Sequence, residues 1–146
     1  MLALSLEGEE LRSFMNKLLA EDVFDGFVFR EAVISSFSRF EIDGRGDSEN
    51  PLFPDWRELR PFVFSIIKGR AKPKVMRIVL SWPEDGIEEI DRAAKSLFLN
   101  IAFEADNVLL TTGCSTKTFT LDKSAEQNWD EFMGGFLGRN GIGKKV

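Results

Sequence analysis

The chain has 146 residues, of which 43% are apolar and 29% charged, and a formal net charge of −5; that suits one domain with its own core. It has no histidine, no tyrosine and a single cysteine, Cys114. A Ser-His-Asp triad, a Cys-His pair, an HExxH zinc site, a cysteine zinc cluster and an internal disulfide are therefore all excluded.

What remains for catalysis is carboxylate pairs, lysine, arginine or an oxygen-ligated cation, and no spacing assigns a cofactor or a metal. No apolar run approaches the roughly 18 residues of a membrane span. The opening MLALSLEGEELRSF lacks the basic start and cleavage site of a signal peptide. A cytoplasmic protein is expected, with no membrane partner.

In chain order, LALSL alternates as a strand, and Gly8 opens a helix whose Leu11, Phe14, Met15, Leu18 and Leu19 form one apolar stripe. After Asp25-Gly26, residues 27–43 read as two strands. A change of phase between Phe37 and the pair Phe40 and Ile42 implies a turn or bulge near Ser35 to Ser38. Residues 43–55 collect Gly, Asp, Asn, Ser and Pro into the longest loop signal, the expected mobile segment. Asp55 and Glu58 are spaced as a capping box, but Pro61 lacks an N–H, so the helix over 57–68 is expected to kink there or to begin near Arg60.

KVMRIVLSW follows as a strand with Met76, Ile78, Leu80 and Trp82 on one face. Asp85 and Glu88 then mark a helix over 85–96 with Ile87, Ile90, Ala94 and Leu97 facing inward. LFLNIAFE, VLLTT and TKTFTLD predict a three-stranded meander, with turns at Ala105-Asp106-Asn107 and Gly113-Cys114-Ser115. A last helix over 124–138, capped by Ser124 and Gln127, carries Trp129, Phe132, Met133, Phe136 and Leu137 on one stripe. The expectation is a single α+β domain over 1–140, with an antiparallel sheet of about six strands covered by about four amphipathic helices near 9–20, 57–68, 85–96 and 124–138. Residues 141–146 are expected to fray.

Charge is unevenly distributed. Between residues 56 and 78, seven cations face one acid, a net of +6, so the rest of the chain carries −11. Arg60, Lys68, Arg70, Lys72 and Lys74 are the candidate anion-binding residues, for a small anion or a nucleic-acid backbone. The simpler explanation is a solvated basic surface neutralised by the acids Glu84, Asp85, Glu88, Glu89 and Asp91, which follow closely in sequence. No aromatic residues interleave the basic loop, as they do where single-stranded bases stack.

Three further motifs carry less. Ser65 and Lys68 match an SxxK spacing without its companion elements. Thr111 to Lys117 has the composition of an anion-binding turn but no Walker spacing, and Cys114 within it is expected to be a resting thiol that Lys117 could activate. Arg45-Gly46-Asp47 spells an adhesion tripeptide, read as coincidence. Asp43, Asp47 and Glu49 fail the calcium-loop pattern because Arg45 takes a ligand position.

Taken together, FDGF at 24–27, WRELRP at 56–61, IKGRAKP at 67–73, TTGCSTKTFTLDKS at 111–124 and WD at 129–130 give a chain that resembles a family of small bacterial proteins catalogued only as a domain of unknown function. The resemblance spans nearly the whole length and implies a single-domain unit, with no activity, cofactor or partner to carry over. The expected function is a non-catalytic binding or interaction module contacting its partner through residues 68–74. The alternatives are an enzyme using carboxylates or Ser65 with Lys68, and a homo-oligomeric structural protein; an anionic ligand, a nucleic acid or a protein remain as partners.

Overall fold

The computed structural model describes residues 1–46, 49, 52–68 and 73–143. Six strands and four helices follow one another as β1 (Ala3–Leu6), α1 (Gly8–Leu19), β2 (Val28–Ser35), β3 (Arg39–Asp43), α2 (Trp56–Ile67), β4 (Val75–Ser81), α3 (Glu84–Ile90), β5 (Ala94–Glu104), β6 (Asn107–Thr116) and α4 (Ser124–Arg139). The strands form one antiparallel sheet in the order β1-β6-β5-β4-β2-β3. This is a single α+β domain.

Burial alternates along each central strand, as period-two side chains on a half-covered sheet require. Phe29, Ala32 and Ile34 of β2, Met76, Ile78 and Leu80 of β4, Leu97, Leu99, Ile101 and Phe103 of β5, and Val108 and Leu110 of β6 are buried on one face. The helices cover that face, α1 and α4 against β6, α2 against β2 and α3 against β5. Two tryptophans lock helices to the rest of the fold. The Trp56 indole N–H donates to the Leu18 carbonyl at the end of α1, and the Trp129 indole N–H donates to Phe98 O of β5.

β2 carries a bulge between Phe29 and Glu31, which changes the side toward which Arg30 projects. Its Nε donates to Ser81 Oγ at 2.9 Å, and its guanidinium stacks 4.2 Å from the centre of the Phe53 ring. The phase change in residues 27–43 has the expected cause, since Ser36 to Ser38 form the turn joining β2 to β3.

Several expectations fail at element ends. The helix expected over 85–96 stops at Ile90, because Asp91 is extended and its carboxylate accepts the Ala93 N–H. Ala94 and Leu97 are instead buried as strand residues of β5. The meander is a long hairpin. Gly113, Cys114 and Ser115 continue β6 opposite Phe98, Leu97 and Ser96, because the eleven-residue β5 supplies partners that far. TKTFTLD is not a third strand; from residue 117 it leaves the sheet, with Phe119 91% and Leu121 85% exposed.

The helix containing Pro61 begins at Trp56, neither at 57 nor near Arg60. Its first turn is held by the Trp56 N–H to Phe27 O and by the buried indole, which offset the hydrogen bond that proline cannot make. None of the three expected side-chain caps forms. α4 is instead introduced by Asp122, whose carboxylate accepts both the N–H and the hydroxyl of Ser124. Ile142, in the stretch expected to fray, is buried, with its N–H donating to Leu137 O.

Candidate functional site

β4 decides the electrostatics. The described cations Lys68 and Lys74 flank its N-terminal end, and α3, with Glu84, Asp85, Glu88 and Glu89, follows its C-terminal end. Seven strand residues at about 3.3 Å each separate the two by roughly 20 Å, twice the screening length of about 10 Å at ordinary salt. Lys68 and Lys74 are therefore too far from those acids to be neutralised by them, contrary to the simpler expectation. Glu88 pairs with Lys117 at 3.2 Å, and Asp91 accepts from the Asn128 amide.

At the basic end lies a groove of about 660 Å³ between α1 and α2, within the range usual for ligand sites. Its apolar wall is Leu11, Met15 and Leu19 of α1, Phe64 and Ile67 of α2, and Phe103 of β5. The stripe on α1 is split by this arrangement. Phe14, Leu18 and Leu19 are buried, while Leu11 and Met15 are only half-buried and face the groove with Leu19. Arg12, Asn16 and Asp106 supply its polar rim, and Arg12 is already paired with Glu9.

The sequence-predicted site residues fare differently. Lys68 closes α2, with its ammonium 5.6 Å from the centre of the Phe64 ring, so it stands at the edge of the groove. Lys74 follows Pro73, a groove residue, and its N–H donates to Ser35 O. Arg60 faces elsewhere. Its Nε and Nη2 make a two-pronged pair with the Asp25 carboxylate at 2.8 and 2.9 Å, with both side chains largely buried, and this holds its guanidinium proton more tightly than usual. Arg70 and Lys72 lie outside the described residues, as does Asp47 of the adhesion-like tripeptide.

The remaining motifs dissolve into structure. The Ser65 hydroxyl donates to Pro61 O one turn back, not to an amine. Thr111 to Thr116 belong to β6 and pair with β5 throughout, so the stretch is extended strand rather than the turn an anion nest requires. No group of carboxylates, cysteine or histidine among the described residues could hold a metal ion, and no described helix is long and apolar enough to cross a membrane. The groove's apolar residues were missed as functional because periodicity reads them as core. The available signal was the width of the α1 stripe, since Leu11, Met15 and Leu19 form a second edge at i, i+4, i+8.

Cys114 is half-buried, and burial, followed by the nearby Glu126, Asp91 and Asp130 carboxylates, pushes its thiol up from the ordinary value. Lys117, the residue that could have activated it, is engaged with Glu88, in keeping with the expected resting thiol. A raised thiol pKa leaves less thiolate at any given pH. Alkylation by iodoacetamide at pH 8 should therefore run several-fold slower than for an unfolded control and accelerate only at higher pH. Equal rates in native and unfolded protein would contradict this.

A family model matches residues 17–143, most of the chain. The chain belongs to the family of unknown function DUF5721. The DUF5721 match includes α2, the start of β4 and the β5–β6 hairpin, so it takes in Phe64, Ile67, Pro73, Phe103 and Asp106 of the groove. It leaves out β1 and α1 before Lys17, and with them Leu11, Arg12 and Met15. No curated protein and no solved structure matches the chain.

Proposed function

We propose that this protein is a non-catalytic binding module whose groove between α1 and α2 takes an amphipathic anion. The apolar part of the ligand packs on Leu11, Met15, Phe64, Ile67 and Phe103, and its charged head meets Lys68 and Lys74. The observation that carries the reading is the coincidence of a groove of about 660 Å³ with the end of β4 that carries Lys68 and Lys74, with the acidic helix about 20 Å away. An apolar groove alone would favour any greasy ligand, and two lysines alone any anion; together they select a molecule with both properties. The single half-buried thiol fits a reducing compartment, and we place the protein in the cytoplasm.

Calorimetric titration with decanoate, decyltrimethylammonium and inorganic phosphate tests the reading. Decanoate should bind at least about tenfold more tightly than decyltrimethylammonium, a gap of roughly 1.4 kcal/mol, and phosphate should give no measurable heat. Lys68→Glu with Lys74→Glu should remove that preference with only a small change in melting temperature, because neither amine forms an ion pair among the described residues and Lys68 gives up only its ring contact with Phe64. Met15→Glu should weaken decanoate binding regardless of charge at the rim. If decanoate and its cationic counterpart bind equally, the lysines play no part. If neither binds while a labelled oligonucleotide does, with affinity falling steeply as salt rises, the basic stretch serves a nucleic-acid backbone instead.

A further inference from the structure

At the opposite, acidic end a second cleft opens between α3 and α4, with a volume of about 570 Å³. Its walls are the rings of Trp82 and Phe132, set edge to face at 5.0 Å. Both rings are fixed from behind. Trp82 packs edge-on against Phe27 at 5.2 Å, and Phe132 stacks on the buried Trp129 at 5.8 Å. Glu89 and Glu131 stand on its two lips, one from each helix, and Arg139 lies against Gly135.

Two features set this cleft apart from an ordinary seam between helices. The indole N–H groups of Trp56 and Trp129 both donate to main-chain carbonyls, whereas that of Trp82 has no acceptor among the described residues. A side chain at position 86 would put its Cβ 2.8 Å from Trp82 Nε1, so glycine there keeps the donor uncovered. Glu89, Glu131 and Arg139 form no ion pair among the described residues, although all three line one cleft. The wall thus offers aromatic faces and two carboxylates for a cation, with an indole N–H and a guanidinium for an anion.

We infer that this cleft binds a small zwitterion of the trimethylammonium-carboxylate class. The alkylated ammonium lies on the Trp82 and Phe132 rings near Glu89 and Glu131, and the carboxylate accepts from Trp82 Nε1 and Arg139. A quaternary ammonium is favoured over a primary one because it gives up less hydration on leaving water for an aromatic surface. The inference is independent of the α1–α2 groove, which shares no residue with this cleft.

Tryptophan fluorescence reads the site directly, because Trp56 and Trp129 are fully buried and Trp82 alone is partly exposed. Titration of the full chain with glycine betaine should give a saturable change. Choline, which lacks the carboxylate, should bind at least about fivefold more weakly, a difference of about 1 kcal/mol. Glu89→Gln with Glu131→Gln should weaken both ligands, and Arg139→Gln should reduce the preference for betaine, leaving the part that Trp82 Nε1 supplies. All three side chains are exposed, so these variants should fold. Equal affinity for choline and betaine, or no saturable response to betaine, would overturn the inference. So would unchanged betaine affinity in the double glutamine variant.

Discussion

Trp56→Ala is expected to lower the unfolding free energy by about 3–5 kcal/mol, the range for deleting a large buried aromatic side chain. Trp56 is fully buried and stacked on Phe29 at 6.1 Å, so truncation leaves a void between α2 and the sheet. The same side chain also has a polar task. Leu18 lies in the last turn of α1, where carbonyls have no partner within the helix, and the Trp56 N–H supplies one at 3.0 Å. Losing it adds a desolvation cost of about 1–3 kcal/mol, less whatever water recovers. For a domain whose whole stability is about 5–15 kcal/mol, this is a large fraction. Urea unfolding should show a lower midpoint with an unchanged slope, and Trp56→Phe should fall between. A Trp56→Ala midpoint indistinguishable from wild type would show that α1 and α2 are held by other contacts.

Glycine substitutions should give opposite signs at two positions. Gly44 follows β3 and packs on the bulge of β2, its N–H donating to Arg30 O at 2.8 Å. A Cβ there would lie 2.7 Å from the carbonyl oxygens of both Phe29 and Arg30. Both obstacles are main chain, so neither can rotate away. Gly44→Ala must part the turn from the bulge, costing about 1–3 kcal/mol for overpacking and about 1 kcal/mol for the hydrogen bond. Displacing the bulge would also loosen Arg30 from Ser81 and Phe53. Gly134, by contrast, lies within α4 with nothing within 4 Å of an added Cβ. Gly134→Ala should stabilise by about 0.5–1 kcal/mol through helix propensity. Melting temperatures measured side by side would test both, and a stabilised Gly44→Ala would refute the close approach.

The two expectations that failed most plainly share one cause. Ile90, Ala94 and Leu97 satisfy a helical spacing by coincidence, while Leu97, Leu99, Ile101 and Phe103 satisfy a strand. Local pattern could not choose where one period gives way to the other. The extended Asp91 and the partners offered by β6 did. Likewise Gly113 looks like a turn in isolation, but in the fold it is a strand residue, because hairpin length is set by both strands together. The caps failed for a related reason. Asp55 forms a bridge with Val28, a contact no local spacing encodes.

The sequence by itself determined the composition of the layers: an amphipathic α1, a helix at 124–138, alternating strands around Met76 to Leu80 and Leu97 to Phe103, and the absence of histidine chemistry. These are local properties, written in the order of apolar and polar residues. It also exposed the basic stretch as an excess of charge. Only the tertiary structure decided what that charge faces. Arg60 turns to Asp25, 35 positions away, while the acids of α3 lie at the far end of β4 from Lys68 and Lys74. Pairing and separation of charges depend on distances through space, which strand order sets and residue order does not. The same reason hides both clefts from the sequence. Leu11, Met15, Trp82 and Phe132 have the pattern of core residues, and they become walls only because neighbouring helices stop short of covering them.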